Sequence, residues 1–284
     1  MLYKRLLTIS VGEPGKEGVI LDGIRCSFRI VRTDKPEANT IDLEIYNLAE
    51  ATRAKFETVN HRIVLETGYE TTGMQVLAIG DIVKGHTIVT VPDATTFVSA
   101  ADGGRSMRDA RASVSYKSGT SAKQMVNDLV KMLGVDSVEI SIDLEKAFRQ
   151  GWSYAGPASG AMTKLAAAFG FDWSIQNNTL QITERGQTTG RESLLITPAF
   201  GLIGSPTPLD DVGTESTKGK EKREPEPGYT VECLLNPAIV PGDPVTIEAR
   251  AGKGRYRVRK VEHSGDAFGN EWTTRLTVSG APLK

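Results

Sequence analysis

The stretch from Gly228 to Ala281 leaves this chain few ways to fold. Tyr229 to Leu235, Pro244 to Ala249, Tyr256 to Ser264 and Glu271 to Val278 are each rich in Val, Ile, Thr or aromatic residues. They mostly alternate apolar with polar, which is the period of a half-buried strand. Pro237 has no backbone N–H to give a ladder, so Leu235-Asn236-Pro237 ends the first strand, and Pro241-Gly242-Asp243 has turn chemistry. Gly252-Lys253-Gly254 and the run from Gly265 to Asn270 close the next two hairpins. Within Arg255 to Ser264 the apolar face passes from Tyr256 and Val258 to Val261, a change of phase that predicts a bulge.

The motif residues here are Leu234-Leu235-Asn236-Pro237, Pro241-Gly242-Asp243, Gly254, Tyr256-Arg257-Val258, Val261, His263, Gly265-Asp266 and Trp272-Thr273-Thr274. In this order and spacing they resemble the C-terminal barrel of baseplate hub proteins from contractile-tailed, Mu-type phages. More distantly they are similar to the spike-hub proteins of type VI secretion.

Residues 1 to about 105 read as a β-module, with strands at Leu6 to Val11, Ile24 to Arg32, Thr40 to Asn47, Arg62 to Gly68, Met74 to Lys84 and His86 to Val91. One helix interrupts them, from Ala49 to Thr58. Leu48, Ala51, Ala54, Phe56 and Val59 are its apolar positions, and Asn47 is placed to cap it. Many short strands with spaced turns suit a barrel or sandwich. The run Asp42 to Leu48, with Val64 to Tyr69 and Leu77 to Ile82, resembles the first barrel of phage hub and tube-like proteins.

Between about 106 and 187 the period changes from 2 to 3.6, and an internal repeat emerges. Shifting the chain by 36 positions lays Ala122 on Ala158, Val126 on Met162, Leu129 on Leu165, Leu133 on Phe169 and Gly134 on Gly170. Each set predicts a helix that ends on a glycine cap and feeds a strand. The first runs from Ser121 to Leu133, capped by Thr120 or Ser121, and leads to Val138 to Ile142. The second runs from Pro157 or Ser159 to Phe169 and leads to Asp172 to Gln176. Asn177-Asn178 follows, with Trp173 and Ile175 on one side and Leu180 and Ile182 on the other, a hairpin signal. Tyr154 to Ala161 is again similar to the middle module of hub proteins. Ser193 to Thr197 reads as a strand, and Gly201 to Pro206 resembles a turn of the same family. Low apolar content and mixed charge then predict a mobile loop near 207–227.

The expected fold is mainly β with an α+β insert: two β-barrels, at 1–105 and 188–284, flanking two small helix-strand units at 106–147 and 148–187.

Lys and Arg number 34 against 35 Asp and Glu, a net charge of −1. A surface that grips nucleic acid carries a basic excess, because Lys and Arg make the phosphate contacts. No run approaches the roughly 18 to 20 apolar residues of a membrane span, and the N-terminus lacks a long apolar core of a signal peptide, so synthesis in the cytoplasm is expected. In a reducing compartment Cys26 and Cys233, each in an apolar strand pattern, read as buried small hydrophobes.

No residue is singled out as catalytic, cofactor-binding or metal-ligating. His61, His86 and His263 are too few and too scattered for a metal site. Gly12 to Gly18 lacks the phosphate-loop spacing. The carboxylate pairs Asp42 and Glu44, Asp143 and Glu145, and Asp210 and Asp211 have no supporting motif for glycoside hydrolysis. Arg255 to Lys260 reads as a solvated face or a protein interface. What the resemblance implies is a structural hub rather than an enzyme, and no cofactor. Such a hub is a homotrimeric ring in the virion's baseplate that meets a tail tube or tube initiator, a central spike and wedge proteins while DNA passes through unbound. The alternative is a tail-associated protein that binds peptidoglycan or degrades cell walls.

Overall fold

The computed structural model describes residues 4–209 and 228–280. Alternation governs the opening strands β1 (Arg5–Gly12), β2 (Val19–Asp22), β3 (Cys26–Thr33) and β4 (Asn39–Tyr46). In β4 the side chains of Asn39, Ile41, Leu43 and Ile45 are buried while Thr40, Asp42 and Glu44 face solvent. That is the pattern of a strand with one wet face. Helix α1 (Glu50–Glu57), β5 (Arg62–Tyr69), β6 (Gly73–Thr90) and β7 (Asp93–Asp102) complete the first module.

The middle of the chain holds α2 (Gly104–Arg108), β8 (Arg111–Tyr116), α3 (Ala122–Leu133), β9 (Ser137–Ser141), β10 (Trp152–Pro157), α4 (Ala158–Phe169), β11 (Phe171–Gln176) and β12 (Thr179–Glu184). The rest consists of β13 (Leu194–Ile196), β14 (Leu202–Pro208), β15 (Gly228–Leu234), β16 (Pro244–Ile247), β17 (Gly254–Asp266) and β18 (Trp272–Gly280).

Mainly β architecture with a small α+β insert is what the structure has, but the two β-modules are not closed barrels. The described strands of both join in one 13-stranded sheet ordered β14-β15-β18-β17-β3-β4-β7-β6-β5-β1-β2, with β16 and β13 branching from β17. The physical reason lies in β17. Its start pairs with β16, from Arg257 opposite Pro244 to Gly254 opposite Ile247. Its end pairs with β3, from Lys260 opposite Thr33 to Asp266 opposite Ser27. Between the two, the register against β18 shifts at Val258/Lys260, so the bulge expected from the change of phase marks where β17 changes partner. The edges that would each close a barrel are spent on joining the modules.

Three cores result. The first is lined by Ile9, Phe28, Ile41, Phe56 and Leu65, and it is completed by Leu235 and Trp272 from the far end of the chain. The third holds Val231, Val245, Val258, Val261 and Leu276. The middle core gathers both helices, with Val126, Leu129, Met162 and Leu165, on the sheet β11-β12-β9. Ser121 Oγ accepts the N–H of Gln124 at 3.3 Å, and Gly134 and Gly170 end the helices with φ of 66° and 80°, as the repeat predicts. Asn177 and Asn178 both take positive φ, 52° and 58°, and pair Trp173 with Ile182 and Ile175 with Leu180 across the hairpin.

Three local expectations differ from the structure. Asn47 does not cap α1: Ala49 stands at the cap, and the Asn47 side chain instead accepts the N–H of Ala94 at 2.9 Å and donates to Asp93 at 3.1 Å. Strand β6 runs unbroken through Gly85, where two strands are expected. A Cβ there would run into the carbonyl oxygen of Phe56, so the glycine is a seat for α1 rather than a break. Strand β7, not expected from the sequence, has the strand formers Thr95-Thr96-Phe97-Val98 at its centre and pairs with both β6 and β4. Of the loop expected near 207–227, Thr207 and Pro208 belong to β14, and residues from 210 on lie outside those described.

Candidate functional site

The strongest concentration of buried polar groups lies where the middle unit meets the large sheet. The tip of the β11–β12 hairpin docks on the ends of β3, β4 and β7. Asp102, at the end of β7, accepts the backbone N–H of Asn177 at 2.6 Å and of Asn178 at 2.8 Å, and the Asn39 amide at 3.1 Å. Arg32 is 1% exposed and donates to Gln176 Oε1 and to the Leu77 carbonyl, both at 3.2 Å. Gln176 in turn donates to the Thr33 carbonyl at 2.7 Å, and Asn177 Oδ1 accepts the N–H of Ile79 at 3.2 Å. Burial pushes the Asp102 carboxyl up from its usual range, while the Arg32 charge and the donated N–H bonds push back.

A second joint is built on Arg257, also buried. It reaches Asp34 at 3.0 Å and Asp172 at 3.4 Å, tying β17 to the turn after β3 and to β11. Arg259, at the bulge, adds a 3.2 Å contact to Asp34. In the third joint Asp243 accepts the Thr189 hydroxyl at 2.6 Å and meets Arg191 at 3.3 Å. Arg191 also holds Glu139 at 2.6 and 2.8 Å. In the second and third joints a carboxylate meets a guanidinium, which fixes direction as well as distance, and in the first the Asp102 carboxylate takes three N–H donors.

On its outer side the shared sheet forms a trough of about 820 Å3 across β4, β3, β17, β18 and β15. Asp42, Glu44, Glu232, Glu262 and Glu271 line it against Arg29 and Arg275. Both arginines are paired, Arg29 with Glu262 and Arg275 with Glu232 at 3.1 Å. The trough is therefore acidic.

The candidate groups read from the sequence are dispersed. Asp42 accepts the Ser99 hydroxyl at 2.7 Å and Glu44 the Tyr46 hydroxyl at 3.3 Å. Asp143 accepts the N–H of Glu145 at 3.0 Å within a surface turn, and Asp210 and Asp211 lie outside the described residues. His61 Nδ1 lies 3.1 Å from the Lys55 carbonyl, and His86 stacks on Phe97. His263 is fully buried, 2.8 Å from Thr274 Oγ1, and burial together with the Arg32 charge lowers its pKa to about 3. Among the described residues no three His, Cys, Asp or Glu gather as a metal site. Cys26 and Cys233 are buried in different cores, and burial raises each thiol to about 12. The expectation of a solvated Arg255 to Lys260 face fails at Arg257, which lies before the bulge, opposite Tyr256 and Val258 by alternation, and is buried against Asp34 and Asp172.

Sequence reading missed Arg32, Asn39, Asp102 and Arg257. Two of them carry a visible signal. Arg32 follows Cys26, Phe28 and Ile30 on the inward phase of β3, and Asn39 precedes Ile41, Leu43 and Ile45 on the inward phase of β4. A polar group at a core phase needs buried partners.

No protein-family model and no curated protein matches the chain. Solved structures do. The chain is similar to the 43 kDa tail protein of prophage MuSo2 from Shewanella oneidensis, with 14% identity and a TM-score of 0.65 over 96% of this chain and 98% of that one. A tail protein from Neisseria meningitidis MC58 matches with 11% identity and a TM-score of 0.69 over 98% and 97%. A component of the Escherichia coli type VI secretion system, described as similar in structure to phage T4 tail proteins, matches with 10% identity and a TM-score of 0.61 over 96% and 77%. The fold is thus one found in prophage tail proteins. It extends to a type VI secretion component.

Proposed function

We propose that the protein is a structural baseplate hub of a contractile phage tail, and not an enzyme. The observation that carries this reading is that the likeness to two prophage tail proteins runs over at least 96% of every chain compared. Three copies form a ring in the virion's baseplate, assembled in the host cytoplasm. Each copy contributes two β-modules, so the ring can meet a sixfold tube on one side and a threefold spike on the other. A tail tube or tube initiator, the central spike and wedge proteins are its partners. Its building blocks are the segments 1–105, 106–147, 148–187 and 188–284.

DNA passes through the ring without being held. The net charge of −1 and the acidic trough support this part of the reading, since phosphates gain nothing from such a surface. The buried joints support it too, because a ring that transmits load needs modules fixed to one another. Negative-stain imaging and light scattering of the purified chain, alone and with tube and spike proteins, test it. Threefold rings are expected. A chain that stays monomeric with both partners present overturns the hub, and clearing on a peptidoglycan zymogram overturns the non-enzymatic role.

A further inference from the structure

Beside the Arg257 joint lies a groove of about 260 Å3 between helix α4 and the turn that follows β3. Pro36, Ala166 and Phe171 give it apolar walls, and Lys35, Arg185 and Arg259 stand along it. Trp173 lines it as well. The indole is 3% exposed, and its Nε1–H has no hydrogen-bond acceptor among the described residues. An indole N–H only donates, so no flip or change of tautomer can relieve it. Leaving a buried donor unpaired is costly, so the indole is sensitive to any acceptor that comes near it.

The charges ask for the same kind of ligand. Lys35, Arg185, Arg257 and Arg259 are four cations, and the carboxylates among them are two, Asp34 and Asp172. Arg257 spans both carboxylates, Arg259 shares Asp34 at 3.2 Å, and Arg185 lies 3.8 Å from Asp172. Four cations against two anions leave two positive charges around the groove. The apolar walls suit the aliphatic stem of a side chain more than a free ion.

We propose that this groove binds an acidic side chain of a partner protein, its carboxylate taken by the guanidinium groups of Arg185 and Arg259, with the Trp173 indole lining the site. The Glu or Asp lies on an extended segment whose apolar neighbours rest on Ala166 and Phe171. Nucleic acid fits less well. Phosphate chains are held by basic stripes that meet several phosphates at once, whereas this is one short groove on a chain of net charge −1.

The test uses the full chain labelled with 15N and follows the indole N–H signals of its three tryptophans. Trp173→Phe assigns the Trp173 signal. Should that chain fail to fold, Trp152→Phe and Trp272→Phe assign it by elimination. The probes are the blocked peptide acetyl-Ala-Leu-Glu-Leu-Ala-amide, its counterpart with Gln in place of Glu, and a short DNA duplex. The expected result is a saturable shift of the Trp173 signal with the Glu peptide. Affinity should be roughly tenfold weaker for the Gln peptide, and for the Glu peptide on the Arg259→Gln chain, as loss of one charge-assisted bond implies. Arg259 is 42% exposed, so this substitution spares the core. No saturable shift, equal affinity for the two peptides, or a shift produced only by the duplex overturns the proposal. Binding is read on the isolated chain, so the result stands apart from whether the chain forms a ring.

Discussion

Asp102 and Asn178 are joined by a 2.8 Å hydrogen bond from the Asn178 backbone N–H to the Asp102 carboxylate, across 76 positions of sequence. The same carboxyl group also holds the N–H of Asn177, so one side chain seats the whole hairpin tip. Asp102→Ala leaves two backbone donors and the Asn39 amide without their acceptor, and removes the charge that faces the buried Arg32. We expect a loss of roughly 2–4 kcal/mol in urea unfolding. Asp102→Asn keeps one acceptor and should lose less.

Trp272 is a matching case for apolar packing. It is 1% exposed and meets Phe28 edge-on at 5.5 Å, in the first core rather than in the last module where its own strand lies. Trp272→Ala should cost about 3–5 kcal/mol. A cost below about 1 kcal/mol would show that the two modules hold together without it.

Gly85→Ala adds a single methyl group, yet that group collides with backbone rather than with a flexible side chain. Helix α1 must then lift from β6. The expected loss is about 1–3 kcal/mol, with faster hydrogen exchange across α1 than across β5.

The buried His263 makes stability depend on pH. The unfolded chain takes up this proton below about pH 6.5, whereas the folded chain resists until about 3, so stability falls as pH drops through that window. Between about pH 6.5 and about pH 5 the loss through His263 is about 2 kcal/mol. Burial raises Asp34, Asp102 and Asp243, which act in the opposite sense nearer the carboxylate range. The measurement is therefore the difference between the natural chain and His263→Gln, whose unfolding free energy should lack this part of the slope. Equal slopes would remove His263 as the cause.

Much of the fold was legible because its local signals agree. Alternation in β3 and β4, the glycine caps at Gly134 and Gly170, the Asn177-Asn178 turn and the bulge near Arg259 all depend on neighbours in sequence. What stayed hidden depends on distant ones. Nothing local says that β17 leaves β16 for β3, or that Asp102 reaches Asn178. Strand β7 went unassigned although Thr95 to Val98 favour a strand, since Ala and Asp at its two ends dilute that signal. The joints left one trace, polar residues at apolar phases, and Arg32 and Asn39 carry it.

The pairing of β3 with β17 also bears on the order in which the chain is made. Arg29 and its partner Glu262 lie 233 positions apart, so during translation the N-terminal strands emerge long before the strand that covers their edge. Until then Cys26 to Thr33 offers one row of open backbone groups and a core that lacks Trp272. Such a chain completes this sheet only once β17 has emerged from the ribosome, and until then its nascent form is exposed to pairing with its own copies on the same polysome.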